Sequence, residues 1–213
     1  MRAKLLLHRW LSDVLPCMHR KRREALEAGI SGVLRSGRLS VTSIGRAIGG
    51  SAKEKHNIKR SDRLLSNEHL QSESMTIYAA LTQQVLAGVN RPVILIDWSD
   101  IDARRKFFLL RAATPVQGRS LTLYEEVHDC STKEKRITHQ KFLLRLKKTL
   151  PVECKPIIIT DAGFRTPWFN QILALGWDFV GRVRNREMVK ASADMQWISA
   201  KSLYLKATTT PRL

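Results

Sequence analysis

The sequence predicts an α/β fold, with an all-helical N-terminal region followed by a mixed β-sheet. Apolar residues recur at helical spacing over the first 90 residues, whereas short runs of β-branched and aliphatic residues dominate the remainder. Two of these runs, residues 92–97 and 156–161, share one plan, since each opens with proline and ends with aspartate. A continuous apolar run of this length predicts a strand in the middle of a sheet, covered on both faces.

The composition predicts a folded protein with a polyanionic partner. The 213 residues are 43% hydrophobic, but 37 lysines and arginines stand against 19 acidic residues, a formal net charge of +18. This excess indicates phosphate neutralisation, and it is largest in residues 1–70, with 15 basic and 6 acidic side chains. Cys17, Cys130 and Cys154 show no CxxC spacing, and no stretch approaches a membrane span, so we expect a cytoplasmic protein without a membrane partner.

The first 90 residues are predicted to form several amphipathic helices. Apolar residues keep helical register over residues 2–14, 20–36 and 72–88. Pro16 follows the first of these segments, and Gly88 and Asn90 follow the third. The change from helical to strand patterns places a domain boundary near residue 70 or 90.

Residues 39–66 have the outline of a helix-turn-helix. Ser40 or Thr42 can cap a short helix that glycines end, and a basic helix is predicted over about residues 53–66. The second helix of such a unit suits the major groove of DNA, with a solvated basic face as the alternative. The predicted DNA contacts on this helix are Lys55, Lys59, Arg60 and Arg63.

From residue 92 onward, the pattern predicts the order strand, strand, strand, helix, strand, helix, strand. The predicted strands are 92–97, 104–113, 121–128, 156–161 and 177–184, and the helices are 138–150 and 166–176. Short turns make the first three strands an antiparallel meander. A right-handed helical crossover then places the fourth strand parallel to the first, which brings Asp161 beside Asp97.

Two aspartates at one end of a sheet indicate a metal site. Neighbouring carboxylates repel each other at neutral pH unless a cation lies between them, and Mg²⁺ prefers carboxylate oxygen. Asp97 and Asp161 are therefore the candidate catalytic residues and metal ligands. Asp100 and Asp102 follow the first strand and are interpreted as turn formers.

The sequence resembles insertion-sequence transposases of the DDE class, which have an RNase H-like fold. The similarity lies in ILIDWSD at 94–100, IIITDAGF at 157–164, FVGRVRNRE at 179–187 and KHNIKRSDRLL at 55–65. With this resemblance, we expect a helical DNA-binding region over residues 1–70, a connecting helix over 71–90 and a partial RNase H-like catalytic domain over 91–213.

The resemblance implies cut-and-paste DNA transposition. Asp97 and Asp161 would be the first two of three catalytic carboxylates, which together hold two Mg²⁺ or Mn²⁺ ions for phosphodiester hydrolysis and strand transfer. The implied partners are double-stranded DNA, both transposon ends and target, and a second copy of the chain in a synaptic complex. The implied location is the bacterial nucleoid.

Four further arginines are candidate contacts to the DNA backbone. Arg104 and Arg105 follow the first catalytic segment, and Arg182 and Arg184 alternate on the last predicted strand. The resemblance suggests phosphate contacts for the latter pair. A solvated face remains the alternative for all four.

The third carboxylate of the family is a glutamate in a Tyr-Arg-Glu-Lys signature, on a helix after a β-rich insertion. That signature is absent from the 213 residues, and Glu187 is the one glutamate downstream of Asp161. It follows the last predicted strand directly and is a poor substitute. We therefore expect a truncated chain with little or no strand cleavage on its own.

Several other residues have a structural interpretation. Trp98 could stack on a base, but packing beside the sheet is the favoured interpretation. His128 and His139 have no partner at metal-ligand spacing and are interpreted as ordinary surface or strand residues.

Two other functions stay open from the sequence. One is a non-catalytic basic DNA-binding protein derived from a transposase, and the other is an unrelated metal nuclease. Loss of metal-dependent activity on substitution of Asp97 and Asp161 by alanine would favour an enzyme over the DNA-binding protein. Cleavage of DNA without regard to end sequence would favour the nuclease.

Overall fold

The computed structural model describes residues 2–185, 187–190 and 192–206. The chain divides between Ala87 and Gly88 into two compact units, one helical and one built around a β-sheet. The helices of the first unit are α1 (Arg2–Val14), α2 (Arg20–Ser36), α3 (Val41–Ala47), α4 (Glu54–Leu65), α5 (Glu68–Ser72) and α6 (Ser74–Val85). The second unit contains β1 (Val93–Asp100), β2 (Phe107–Val116), β3 (Arg119–Asp129), α7 (Arg136–Thr149), β4 (Ile157–Thr160), α8 (Thr166–Ala174), β5 (Asp178–Gly181), β6 (Met188–Val189), β7 (Ile198–Ser199) and a 3₁₀ helix (Ala200–Lys206).

The core of the helical unit forms around the end of α1. Leu11, Leu15 and Met18 are buried there, and apolar residues of α2, α5 and α6 pack against them. The predicted bounds of α1 and α2 are confirmed. α2 ends where Gly37 adopts the left-handed conformation (φ 61°) and donates its N–H to the carbonyl of Val33 at 2.9 Å.

The helix predicted over residues 72–88 corresponds to α6, which is shorter at both ends, and the unpredicted helix α5 precedes it. The Asn67 side chain accepts the N–H of Leu70 at 2.9 Å and caps α5. Glu73 separates the two helices, and its carboxylate accepts two hydrogen bonds from the guanidinium of Arg22 in α2. A side-chain cap therefore marks the start of α5, and an ion pair lies at the break before α6.

The short helix and the basic helix predicted between residues 39 and 66 are confirmed as α3 and α4. Ser40 caps α3 by accepting the N–H of Ser43 at 3.2 Å. A Cβ atom on Gly45 of α3 would lie 2.4 Å from the Cα of Ile58 in α4. The missing side chain of Gly45 is therefore what lets the two helices approach so closely.

The first four strands of the main sheet of the second unit have the predicted order and directions, and the place of β5 was not predicted. The strands lie in the order β3-β2-β1-β4-β5, and β3, β2 and β1 are antiparallel to one another. β4 runs parallel to β1, and β5 runs parallel to β4. This is the order expected of an RNase H-like sheet. β6 and β7 form a separate two-stranded ribbon.

One face of this sheet is covered by helices, whereas the other is open within the described residues. Ile96 on the covered face is 1% exposed, but its neighbour Leu95 on the open face is 37% exposed, and Val180 of β5 is 57% exposed. Aromatic pairs seat both helices on the covered face: Phe142 of α7 with Tyr124, and Phe169 of α8 with Phe179. The prediction that β1 is covered on both faces is therefore wrong.

All five strands of the main sheet differ from their predicted bounds, β3 and β4 by two residues or fewer at each end. β1 continues three residues past Asp97, because its antiparallel pairing with β2 extends to Asp100 opposite Phe108. β2 begins at Phe107 rather than at residue 104, and β5 ends at Gly181 rather than at residue 184. The end of an apolar run is thus not the end of backbone pairing.

The close approach of α3 and α4 can be tested at Gly45. We expect Gly45→Ala to lower the free energy of unfolding of the helical unit by about 1–3 kcal/mol or more, because the added methyl meets backbone that cannot move independently. Urea denaturation followed by circular dichroism measures the change. Thr42→Ala, an exposed substitution on the same helix, is the matched control, and equal stability of the two variants would contradict the packing described.

Candidate active site

Asp97 and Asp161 lie side by side at one end of the β1–β4 pair. The last paired residues of these parallel strands are Ile96 and Thr160, and each aspartate is the next residue along the chain. Because neighbouring strands lie about 4.8 Å apart, the two carboxylates are neighbours at the carboxyl end of this strand pair. Asp97 is not the last residue of β1, but it is the first beyond the pairing with β4.

The electrostatics of Asp97 reflect this juxtaposition. Both aspartates are exposed residues, yet partial burial of its carboxyl raises the pKa of Asp97, and the negative charge of Asp161 raises it further. The neighbouring backbone N–H of Trp98 favours the ionised form of Asp97 and so acts in the opposite direction on its pKa. The Asp161 carboxylate accepts the N–H of Gly163 at 2.9 Å. This backbone donor therefore orients Asp161 without neutralising the pair.

A row of charged residues crosses the open face of the sheet at the level of Asp97. Arg111 of β2 lies opposite Asp97 in register, and Glu125 of β3 lies opposite Arg111. The guanidinium of Arg111 forms an ion pair with the Glu125 carboxylate at 3.2 Å. Arg111 was not predicted, because strand alternation does not reveal which residue lies opposite another. Register is the signal that identifies it.

The acidic residues after Asp97 have structural contacts. Asp102 accepts the N–H of Lys106 at 3.2 Å and of Phe107 at 3.0 Å, which confirms it as a turn former. Asp100 is the last residue of β1 rather than part of a loop, and it forms an ion pair with Arg105 at 3.0 Å. Arg104 is exposed in the same turn and has no ion-pair partner among the described residues.

Arg182 and Arg184 do not alternate on a strand, because β5 ends at Gly181. Arg182 still donates its backbone N–H to the Thr160 carbonyl at 3.2 Å, which places it next to Asp161. Both arginines are exposed and line an open cleft together with Ala162, which follows Asp161. Arg182 and Arg184 therefore lie at the same end of the sheet as the aspartates, as predicted, but they are loop residues and not residues of β5.

An aromatic layer lies beneath the aspartates on the covered face of the sheet. The Trp98 indole N–H donates to Nε2 of His139 in α7 at 3.2 Å, and the Trp98 ring meets His128 of β3 edge-on, with centroids 5.4 Å apart. His139 also contacts the rings of Phe164 and Trp168, with centroids 5.4 and 4.9 Å away. The packing interpretation of Trp98 is confirmed.

The interpretation of His139 as an ordinary surface residue is wrong. α7 begins at Arg136, two residues before its predicted start, so His139 lies in its first turn and is only 8% exposed. Burial lowers the pKa of His139 to about 4, with a smaller contribution from the nearby His128. His128 is a strand residue as expected, and its Nε2 contacts the Glu126 carboxylate at 2.9 Å.

The basic face of α4 comprises the four predicted DNA contacts of the helical unit: Lys55, Lys59, Arg60 and Arg63. All four side chains are exposed. None forms an ion pair with a carboxylate in the part of the chain that the structure describes, although the guanidinium of Arg60 reaches the Glu24 carbonyl at 3.5 Å. Lys55, Lys59 and Arg63 follow i, i+4, i+8 spacing and therefore form one stripe.

The carboxylate pair suits a hard divalent cation, since Mg²⁺ and Mn²⁺ prefer carboxylate oxygens and the charge of Asp161 adds to the effect of burial in raising the pKa of Asp97. Across residues 2–185, 187–190 and 192–206, however, no three histidine, cysteine, aspartate or glutamate side chains come together as a metal-binding group. Glu187 lies in the loop between β5 and β6, where its backbone pairs with Arg184 and Ala200. Two carboxylates are thus the whole acidic site within these residues.

The strand order of the main sheet is that of an RNase H-like fold. A family model described as the transposase DDE domain matches residues 89–211, more than half of the chain. The chain belongs to the DDE transposase family. No curated protein and no solved structure matches it significantly. In the described part of the chain, no helix has both the length and the apolar character to cross a membrane.

The buried imidazole predicts a pH dependence of stability. Above pH 6.5, the ordinary pKa of histidine, His139 is neutral in both folded and unfolded chains. As the pH falls from 6.5 to about 4, the unfolded chain takes up a proton that the folded chain does not, so stability decreases by up to about 3 kcal/mol. Chemical denaturation at pH 7 and pH 4.5 measures this loss, which we expect to be smaller in His139→Gln. An identical loss in both proteins would contradict the burial of a neutral His139.

Proposed function

We propose that this chain is an insertion-sequence DNA transposase whose sheet-containing unit contributes Asp97 and Asp161 to a divalent-metal site acting on phosphodiester bonds. The proposal is supported above all by the parallel pairing of β1 with β4, which leaves two like charges adjacent at one end of the sheet. Such a pair is unfavourable for folding unless a cation binds between the carboxylates. Unfavourable charge pairs of this kind occur mainly at functional sites.

Asp97 and Asp161 would hold the metal, with Mg²⁺ or Mn²⁺ as the ion and two ions in the complete site. When bound, such ions activate water or a DNA 3′-hydroxyl and stabilise the leaving 3′-oxygen. The chain itself orients the Asp161 carboxylate through the backbone N–H of Gly163. The exposed guanidinium groups of Arg182 and Arg184 would bind DNA phosphates next to Asp161.

The basic face of α4 would bind the DNA duplex. Its stripe of cations has no acidic partner among the described residues, so phosphates can be neutralised there without breaking an existing ion pair. Close packing on α3 keeps the helix rigid, which favours insertion of its outer face into a groove. We infer that transposon ends are the DNA recognised and that a second copy of the chain joins two ends in a synaptic complex.

The described residues provide two acids of the three that a DDE site requires. We therefore expect this chain to bind metal weakly and to cleave DNA poorly on its own. A non-catalytic DNA-binding role is the second candidate function, and it is favoured by the same observation that no third acid lies near the pair in residues 2–185, 187–190 and 192–206. Metal binding at the aspartate pair separates the two candidates, because a vestigial site has no need to keep it.

The metal site is tested by thermal unfolding with and without Mn²⁺. We expect Mn²⁺ at about 100 times its dissociation constant to stabilise the protein by about 2.7 kcal/mol, and Asp97→Asn or Asp161→Asn to abolish this effect. Without metal, Asp97→Asn should raise the midpoint, because it removes a charge whose pKa is raised by burial and by Asp161. Asp62→Asn, an exposed position on α4, is the control. Retention of the full Mn²⁺ effect in both site variants would refute the proposed site.

The DNA-binding role of α4 is tested by the salt dependence of binding. We expect a combined Lys55→Ala, Lys59→Ala and Arg63→Ala variant to weaken duplex binding and to reduce the slope of log K against log[salt] by roughly 0.9 for each phosphate that the variant no longer neutralises. Fluorescence anisotropy with a labelled duplex measures both quantities. A Lys147→Ala, Lys148→Ala variant removes two exposed cations from the end of α7 as a control for reduced charge alone. Equal slopes for wild type and the α4 variant would place DNA binding elsewhere.

A further inference from the structure

We propose that His139 is a positioning residue of the candidate active site, which holds the segments bearing Asp97 and Asp161 in their relative geometry through Trp98 and Phe164. The inference rests on the proposed metal function of the aspartate pair. His139 itself lies on the covered face of the sheet, whereas Asp97 lies on the open face, so the side chain acts from beneath rather than as a ligand.

The hydrogen bond between Trp98 and His139 has a defined polarity. An indole N–H can only donate, so Nε2 of His139 at 3.2 Å must be the acceptor, and the imidazole is the neutral tautomer with its proton on Nδ1. Burial of the ring favours this neutral form. The nearby indole N–H of Trp168 is buried and has no hydrogen-bond partner within the described residues. Nε2, the one acceptor nitrogen of His139, therefore accepts from Trp98 and not from Trp168.

Trp98 transmits this restraint to Asp97. The two residues are adjacent in β1, so the position of the Trp98 backbone sets the direction in which the Asp97 side chain leaves the strand. The residue whose indole His139 holds is therefore the immediate neighbour of the aspartate. Rotation of the Trp98 side chain would disturb the strand at the point where β1 has left β4 and retains only β2 as a neighbour.

The same imidazole restrains the segment after Asp161. Gly163 donates its N–H to the Asp161 carboxylate at 2.9 Å, and Phe164, the next residue, is 5% exposed with its ring centroid 5.4 Å from that of His139. The ring centroid of Phe164 lies 4.6 Å from that of Trp168 in α8, so Trp168 also restrains the Phe164 ring. His139 is therefore the side chain that contacts both aspartate-bearing segments from one helix.

Two substitutions separate positioning from general packing. His139→Leu fills the site with an apolar side chain and removes the acceptor, whereas His139→Gln retains an acceptor oxygen. The probe is Mn²⁺ alone, and its affinity for the full chain is measured from the loss of the free-ion electron paramagnetic resonance signal. The indole ¹⁵N–¹H resonance of Trp98, assigned by its absence in Trp98→Phe, reports the hydrogen bond directly.

We expect His139→Leu to move the Trp98 indole resonance and to weaken Mn²⁺ binding about 10-fold, the lower end of the range for groups that orient metal ligands. His139→Gln should restore most of the affinity. Leu146→Ala, which truncates a buried residue two turns further along α7, controls for loss of stability. It should leave Mn²⁺ affinity within the error of wild type at a temperature where the chain is folded.

The outcomes distinguish this inference from the proposed function. Absence of Mn²⁺ binding by the wild type would overturn the metal site and, with it, this role for His139. Normal Mn²⁺ affinity in a folded His139→Leu protein would overturn the positioning role alone. Equal losses in His139→Leu, His139→Gln and Leu146→Ala would assign the effect to packing and would also overturn it.

Discussion

The repulsion between two carboxylates on adjacent parallel strands is the constraint that organises the sheet-containing unit. β1 and β4 pair from Val93 with Ile157 to Ile96 with Thr160, and the aspartates come next on both strands. Backbone hydrogen bonding and burial of the isoleucine side chains hold the strands in this register, so the charges cannot separate by sliding. Partial burial of its carboxyl and, to a smaller extent, the charge of Asp161 raise the pKa of Asp97, and a cation bound between the carboxylates would relieve the repulsion.

The two faces of the sheet make different contacts around this pair of aspartates. On the covered face, α7 and α8 pack on the strands, and the Trp98–His139–Phe164 layer lies beneath both aspartates. On the open face, Arg111 is held by Glu125 and so leaves the aspartates without a full counter-charge. The covered face is therefore closely packed beneath the aspartates, whereas the open face leaves their carboxylates accessible. A strand buried on both faces could not have presented Asp97 to solvent.

Apart from α5, β6, β7 and the final 3₁₀ helix, the sequence was sufficient for the order of elements but not for their lateral contacts. Apolar spacing places α1 and α2 correctly, Pro16 follows α1 as expected, and the right-handed crossover rule places β4 beside β1. The extension of β1 to Asp100 was missed because it depends on hydrogen bonds to β2, which no single segment encodes. His139 was missed for a related reason, since the face that a helix presents depends on where its first turn begins. Arg111 needs the register of two hairpin strands, which only the folded sheet supplies.

Charge explains why a basic chain would keep an acidic pair at this position. DNA is repelled by Asp97 and Asp161 just as the aspartates repel each other, so a phosphate can approach them only when positive charge intervenes. Under the proposed function, the exposed arginines beside Asp161 would supply part of that charge from the protein. An arginine between the two carboxylates would instead pair with them permanently and occupy the position of a bound phosphate. An exchangeable divalent cation would fulfil the same electrostatic requirement while leaving that position open, which favours a site of two acids over a site of an acid and a base.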